Sequence, residues 1–464
     1  MRSYIIIAIL TLTIVSCAKK LDILPEQNVE EGVVLSTDEK VKKVLNGAYD
    51  ALSSTDLYGG NFLLYSELLA ADGEIRWAGT FNQPREVYNK AMTTTNSFIT
   101  ASWLSSYNVI NICNNILSAI DVVVPSDRDR VKGEALFIRA SVYFELVKLF
   151  GKPFAAGNTT TNLGVPIVLT PTRNISQASY VARSTVQETY DQVINDLTEA
   201  ESLLPTGSGT RAQKAAAAAM LSRVYLQTAN YVSARDAANR GIGYGGFTLS
   251  QPYAKAFNSG RNAAADPAST LSEGVFQTVV TAQDGGNSMH TYWSITLYGA
   301  RSGDVVIEQK HLNLYDPSDA RRALFYIGTG NSLTGINTRS GKWKFIYSNL
   351  SIIRLSELYL TRAEANFRLS TSVGATPVDD VNQTRVIHAG LPALASVDLV
   401  AILNERKLEL AHEGQAIHDA KRLKLTIALG LVSYAFDANE LVMPIPQREV
   451  NASRNVVVQN DGYN

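Results

Sequence analysis

Two stretches of the chain place aromatic side chains beside charged or polar residues. A sugar ring has an apolar C–H face that stacks on a flat aromatic side chain, and its hydroxyl rim hydrogen-bonds to carboxylate and guanidinium groups. Residues of these types stand close together in both stretches, of which one is a predicted polar loop at 71–77 and the other lies in the loop-rich middle of the chain. The alternative, that the aromatic rings only pack in the interior, stays open here. The predicted ligand contacts are Asp72, Arg76, Trp77, Tyr292, Trp293 and Tyr298.

Other patterns in the chain do not favour catalysis, a metal or a cofactor. The glycines at 241–246 fit G-x-G-x-x-G, but they follow a helical pattern and lead into a loop, whereas a dinucleotide site needs them between a strand and a helix. His412 and His418 are too far apart for a zinc-binding pair at i and i+4. The charge balance, 42 basic against 43 acidic residues, gives no excess for nucleic-acid binding. We therefore expect a non-enzymatic protein.

The N-terminus predicts export and a lipid anchor. Residues 4–15 are apolar and follow Arg2, and the run is too short to span a bilayer. Residues 1–16 thus have the proportions of a signal peptide, although an N-terminal core strand is the alternative. Cys17 follows Ser16 directly and resembles the cysteine of a bacterial lipobox, with Ile14 and Val15 departing from the commonest form. The prediction is lipidation at Cys17 and a tether over 17–35.

Helical periodicity and capping signals predict a mostly α protein. Ser36 is the predicted cap of the first helix, and Ser126 or Asp127 that of a later one. An alanine-rich helix, a short turn and a helix beginning at Tyr231 resemble a tetratricopeptide hairpin. The helices are predicted from Ser36 onward and over 96–121, 126–150, 184–204, 211–228, 231–242, 351–369, 397–413 and 415–428.

A change of composition after residue 243 predicts two parts. Residues 36–243 are the helical part, with tetratricopeptide-like helix pairs arranged as a superhelix. Residues 244–464 begin with a loop-rich, partly irregular stretch that holds a short strand at 275–280, and they return to helices later. Long loops within a compact protein are usually functional or disordered, and residues 244–464 are the predicted ligand-binding part.

The chain resembles the SusD/RagB family of outer-membrane lipoproteins of Bacteroidetes. The resemblance rests on six short motifs in the family's order, beginning with Asn46-Gly47-Ala48-Tyr49 and ending near Gly462-Tyr463. Ala416, Ala420, Leu423 and Asp461 depart from the family pattern. The motifs lie at 44–49, 134–151, 196–205, 354–365, 405–414 and 444–463.

The resemblance implies a location, a partner and a ligand class. A family member of this kind is anchored through its first cysteine, here Cys17, and faces the cell exterior on the outer membrane. It pairs with a SusC-like TonB-dependent transporter and delivers an oligosaccharide, or an oligopeptide in the RagB branch. A protein-only interaction scaffold is a further alternative. The shared motifs do not contain the binding residues, so the six predicted contacts rest on their chemistry alone.

Overall fold

The computed structural model describes residues 35–173, 179–207, 209–257, 271–280, 286–330 and 335–463. The predicted signal peptide at 1–16, Cys17 and all but the last residue of the predicted tether lie outside the described residues. The predicted division at residue 243 stays a prediction, because one hydrophobic cluster runs from Leu35 to Val457 and includes side chains from both predicted parts.

Most of the described chain is helical, as predicted. Short 3-10 turns, among them Thr296–Tyr298 and Gly341–Trp343, join some of the elements. The helices are α1 (Asp38–Leu52), α2 (Asn61–Ala70), α3 (Asn82–Tyr88), α4 (Ser97–Ser118), α5 (Pro125–Phe150), α6 (Val186–Leu203), α7 (Lys214–Gln227), α8 (Tyr231–Gly243), α9 (Ser288–Trp293), α10 (Gln309–Leu312), α11 (Leu355–Leu369), α12 (Pro377–Ile387), α13 (Leu399–Glu409), α14 (Ala416–Arg422) and α15 (Gln447–Ala452).

Three small antiparallel sheets interrupt the helices. The largest has the strand order β1-β3-β5-β4, and the others pair β2 with β6 and β7 with β8. The strands are β1 (Ile75–Trp77), β2 (Gly274–Thr278), β3 (Val305–Ile307), β4 (Phe325–Thr329), β5 (Ile336–Ser340), β6 (Leu350–Arg354), β7 (Ile427–Leu429) and β8 (Val432–Tyr434).

Neighbouring helices stack as the tetratricopeptide-like prediction requires. Contacts join α4 to α5, α5 to α6, α6 to α7 and α7 to α8, and α8 also packs on α11. The five alanines at 215–219 of α7 are buried, and their short side chains let neighbouring helices approach closely. On α8, a Cβ atom at Gly241 would lie 3.0 Å from the Leu358 side chain of α11. The prediction of stacked helix pairs is confirmed.

Two of the predicted helix caps are wrong. The Thr37 hydroxyl, not that of Ser36, accepts a hydrogen bond from the Lys40 backbone N–H, at 3.4 Å. Helix α5 begins at Pro125 without a side-chain cap, so neither Ser126 nor Asp127 caps it. Proline at the first helical position has no backbone N–H to be capped and already has a helical φ.

Residues 351–354 form a strand, whereas the sequence predicted a helix there. Leu350 lies opposite Thr278 and Arg354 opposite Gly274 in the β2–β6 pair, and every residue of β6 is buried. A short apolar run buried on both faces has no period that separates strand from helix. The remaining predicted helices at 397–413 and 415–428 are present but shorter, as α13 and α14.

Within the described ranges, no helix is both long enough and apolar enough to cross a lipid bilayer.

Candidate ligand-binding surface

The four-stranded sheet holds two of the predicted contacts, Arg76 and Trp77. In β1, Ile75 and Trp77 point inward and Arg76 points outward, which is the alternation expected of a strand with one solvated face. Arg76 lies opposite Val306 of β3, and on the far side of the sheet Tyr326 of β4 lies opposite Arg339 of β5. The sequence analysis put Trp77 on a loop. That placement is wrong, because the flanking polar residues concealed a three-residue strand.

The three rings of Trp77, Tyr292 and Trp293 lie in the interior. Trp77 is 6% exposed, Tyr292 4% and Trp293 fully buried. The Trp77 ring lies 6.0 Å from that of Tyr292, and its Nε1 donates a hydrogen bond to the Phe81 carbonyl. Trp293 packs 4.8 Å from the His412 ring. In this conformation none of the three offers an open face for stacking, so they form the floor of the site, and their role as direct ligand contacts stays a prediction that requires movement.

Arg76 and Asp72 lie at the surface, and both contact the segment 308–310. The Arg76 Nε donates to a Glu308 carboxylate oxygen at 2.8 Å. The Lys310 ammonium donates to the Asp72 carbonyl at 2.8 Å and lies 3.1 Å from the Asp72 carboxylate. These pairs form a charged rim beside the sheet.

Tyr298 is the predicted aromatic contact that remains partly open to solvent. It ends the 3-10 turn Thr296–Tyr298, which follows α9. Its ring meets that of Tyr326 edge to face at 5.7 Å, and the Lys344 ammonium lies 4.3 Å from the Tyr298 ring. The carbonyl of Tyr298 lies 3.0 Å from His290 Nε2, which holds the turn against α9. An aromatic pair with an adjacent cation thus stands at the edge of the sheet.

The sequence analysis missed Tyr326, because its strand joins the site only through sheet pairing. The available signal was the run Phe325–Thr329 itself, whose aromatic and β-branched residues favour a strand. Burial raises the pKa of the Tyr326 phenol above its ordinary value, although the Ser294 hydroxyl opposes the shift. The Tyr326 hydroxyl is therefore neutral and able to donate as well as accept hydrogen bonds.

Next to Tyr326 in the sheet, Arg339 fixes the turn that leads into β3. Its guanidinium donates to the carbonyls of Gly303 at 2.5 Å and Val305 at 3.1 Å. Burial lowers the pKa of Arg339, and the Tyr326 and Asp304 side chains raise it only in part. The Arg339 side chain thus links β5 by hydrogen bonds to the turn at Gly303 and to the start of β3.

A separate cavity of about 210 Å³ lies between α1, the segment before α7, and β2. Its wall includes Tyr49, Asp50, Arg211, Phe276 and Thr278. The Arg211 guanidinium lies 4.9 Å from the Tyr49 ring. The buried Thr278 hydroxyl has no hydrogen-bond partner within the described residues. The sequence analysis used Tyr49 only as part of a motif, so this cavity is a second location against which ligand binding must be tested.

One buried cluster has metal-ligand chemistry. Glu273, His388 and Glu409 bring ligand-type atoms within 4.8 Å of one another. However, Arg354 donates to the Glu273 carboxylate at 2.5 Å and to that of Glu409 at 2.8 Å, and Arg321 lies 3.2 Å from Glu409. Two guanidinium groups already compensate the carboxylate charge, so the cluster is a buried ion-pair network.

Two family models together match nearly the whole chain. A model described as starch-binding, associating with outer membrane, matches residues 19–226. A model described as the SusD family matches residues 212–463.

One relative and two solved structures match this chain over nearly its whole length. SusD-like protein P2 of Formosa agariphila is 26% identical, and the alignment covers 100% of both chains. A SusD superfamily protein of Bacteroides thetaiotaomicron is 27% identical with a TM-score of 0.80, covering 91% of this chain and 99% of that one. A Bacteroides vulgatus protein, provisionally described as a sugar binding protein, is 26% identical with a TM-score of 0.80, covering 92% and 99%.

Proposed function

We propose, since the chain belongs to the SusD family, that it captures an oligosaccharide without catalysis and delivers it to a partner TonB-dependent transporter. The family model described as starch-binding supports a carbohydrate ligand. So does the likeness to the Bacteroides vulgatus protein. Both similarities cover long stretches of the chain, so they concern the fold as a whole.

The observation that carries the carbohydrate ligand is the partly exposed pair of Tyr298 and Tyr326. Their rings meet at 5.7 Å beside the Lys344 ammonium. A sugar stacks its C–H face on such a ring, while neutral phenols and nearby charged groups reach its hydroxyls. Arg76 projects from the same face of the sheet as Tyr326. Residues directly opposite each other in antiparallel strands share a face, and Arg76 lies opposite Val306. Because Ile307 lies opposite Thr338, the next pair is Val306 and Arg339, and Arg339 lies opposite Tyr326. Tyr298 is therefore the proposed central contact.

Substituting Tyr298→Ala tests this site. We expect oligosaccharide binding to weaken at least about tenfold, since the ring supplies the stacking face. The measurement is calorimetry on the detergent-purified full chain, with a panel of plant, host and microbial oligosaccharides and mixed oligopeptides.

The matched control is Tyr231→Ala. Tyr231 is also half-buried and lies under a cation, with Arg368 at 4.8 Å from its ring, but it belongs to the helical part. The Tyr231→Ala substitution should leave the oligosaccharide affinity unchanged. If Arg211→Ala abolishes glycan binding and Tyr298→Ala does not, the ligand occupies the 210 Å³ cavity and the surface proposal is wrong. A hit among the peptides instead of the glycans would place the protein in the RagB-like branch.

The anchor part of the proposal rests on Cys17, with the lipid holding the protein on the outer membrane facing the exterior. Multiple acyl chains on one residue bind a bilayer far more firmly than a single chain. We expect Cys17→Ala to move the protein from the membrane fraction to the soluble fraction of cells that lack the transporter, as followed by fractionation and immunoblotting. If the variant stays with the membrane in those cells, Cys17 is not the anchor.

A further inference from the structure

A small cavity lies where α5, α6, α7 and α14 converge. Its volume is about 10 Å³, room for one water-sized guest. Its wall is unusually rich in groups that donate hydrogen bonds. The lining side chains with polar or charged ends are Lys148, Lys152, Tyr190, Gln227, His418, Lys421 and Arg422.

Lys421 is buried in this wall, and its ammonium group has few hydrogen-bond acceptors around it. The residue is 3% exposed. Its ammonium makes one hydrogen bond, to the Lys148 carbonyl at 3.3 Å, so two of its three protons have no acceptor within the described residues. An ammonium group removed from water in this state is costly unless a charge of opposite sign compensates it.

The neighbouring polar groups also lack hydrogen-bond partners. His418 is 1% exposed, and its Nε2 makes no hydrogen bond among the described residues, with the nearest carboxylate oxygen, that of Glu145, 3.8 Å away. No hydrogen bond joins the Tyr190 hydroxyl or the Gln227 side-chain amide to another residue in the part of the chain that the structure describes. Groups of this kind, converging on one small space, fit a guest that accepts hydrogen bonds from several directions.

The local charges are not balanced either. Lys148 pairs with Glu145 at 2.8 Å, and Arg422 pairs with Glu364 at 2.7 Å. Lys421 and Lys152 have no carboxylate within 4.0 Å among the described residues, and Lys152 donates instead to the Asn439 amide oxygen at 2.6 Å. The wall therefore carries an excess of positive charge.

Helix capping accounts for only one of the three Lys421 ammonium protons. Helix α5 ends at this cavity, and basic residues often bind the free carbonyls of such ends. The other last-turn carbonyls already have donors: Val147 accepts from the Gly151 N–H, Leu149 from the Met443 N–H at 2.8 Å, and Phe150 from the Asn460 amide at 2.8 Å. Only the Lys148 carbonyl is left for the ammonium group.

We propose that this cavity binds a small inorganic anion, such as chloride, against the Lys421 ammonium. The anion accepts hydrogen bonds from Lys421 and its neighbours and neutralises the excess charge at the junction of four helices. Lys152 is partly exposed at its edge, so the anion exchanges with solvent there. The site is independent of the proposed oligosaccharide surface, since the two share no residue.

Anion binding at this site depends on pH. Burial lowers the pKa of Lys421 to about 7, and the neighbouring Lys148 lowers it too. The charged or titratable groups around it are Lys148 from α5 with its partner Glu145, Lys152, Tyr190 from α6, and His418 and Arg422 from α14. A bound anion favours the ammonium form, so binding takes up a proton. The affinity is therefore expected to be highest below pH 7 and to fall as the pH rises above it.

The test is a chloride titration of the full chain at constant ionic strength, with gluconate as the replaced anion. At pH 6 we expect the midpoint of thermal unfolding to rise with chloride and then saturate, since the ion binds the folded state. Lys421→Met should lower the chloride affinity at least tenfold. Lys424→Met, which removes the same charge from an exposed position just beyond α14, should not change it.

Crystals soaked in bromide provide the second measurement. We expect an anomalous peak in the cavity next to the Lys421 Nζ atom. A water molecule in place of bromide would overturn the proposal, and so would a bromide peak without a saturable effect in solution. If Lys421→Met does not fold, the wild-type titration and the bromide map still decide between an anion and a water.

Discussion

Glu409→Gln is expected to lower the free energy of unfolding by about 3–5 kcal/mol. Glu409 is fully buried, and its carboxylate accepts hydrogen bonds from Arg354 at 2.8 Å, Arg321 at 3.2 Å and His388 at 2.9 Å. The substitution keeps the shape of the side chain but removes its charge. Three cationic or basic groups then lose a shared anion inside the protein, where water does not replace it.

The protonation states in this network support a charged interior. Burial by itself raises the pKa of Glu409, but His388 and Arg354 bring it well below its ordinary value. Burial lowers the pKa of His388, and the carboxylates of Glu409 and Glu273 raise it to about 9. His388 is thus an imidazolium at neutral pH, and Glu409→Gln removes the main source of its charge stabilisation.

Urea unfolding followed by circular dichroism measures the effect. The matched control is Glu39→Gln, which alters an exposed carboxylate paired with Lys43 on α1. Exposed pairs of that kind contribute little to stability, because water and salt screen the two charges. Equal losses in the two variants would show that the buried network contributes no more than a surface pair.

Trp293→Ala is expected to lower the free energy of unfolding by about 3–5 kcal/mol. The indole ring is fully buried and packs against the His412 ring at 4.8 Å. Removing it leaves a cavity beneath the candidate surface, and the close-packed neighbours fill that space only in part. The loss is expected in the absence of any ligand, because it arises from packing.

A second variant separates volume from hydrogen bonding. The Trp293 Nε1 has no partner among the described residues, so Trp293→Phe removes an unsatisfied buried donor together with part of the ring volume. We expect its cost to be well below that of Trp293→Ala. Tyr298→Ala, at a half-exposed ring, should leave stability nearly unchanged while it weakens ligand binding. If Trp293→Ala unfolds in urea like the wild type and loses only glycan affinity, Trp293 contacts the ligand and is not a packing residue.

The helical part was predictable because its signals are local. The alanine run of α7, the short turn and Tyr231 at the start of α8 determine that hairpin within about one repeat of sequence. Strand β6 was not predictable in the same way, since its identity depends on pairing with β2 more than seventy residues earlier, a partner that no local period reveals.

The candidate site was predictable in composition but not in exposure. The sequence indicated which segments hold aromatic and charged residues together, and Tyr298, Arg76 and Asp72 do lie at the surface. It did not distinguish Tyr298 from Trp293, five positions earlier, because burial there depends on His412 and on the strands that cover α9. Tyr326 was missed for the same reason, since only the sheet brings β4 to the site.

The buried ion-pair network has a consequence for the order in which the chain is made. Its guanidinium groups, Arg321 and Arg354, belong to segments translated well before Glu409, and domains tend to fold from the N-terminus during synthesis. Until Glu409 leaves the ribosome, these cations lack one of the carboxylates that compensate them in the finished interior. We therefore expect a product truncated before α13 to leave Arg321 and Arg354 without the Glu409 carboxylate and to be cut more readily by proteases than the full chain.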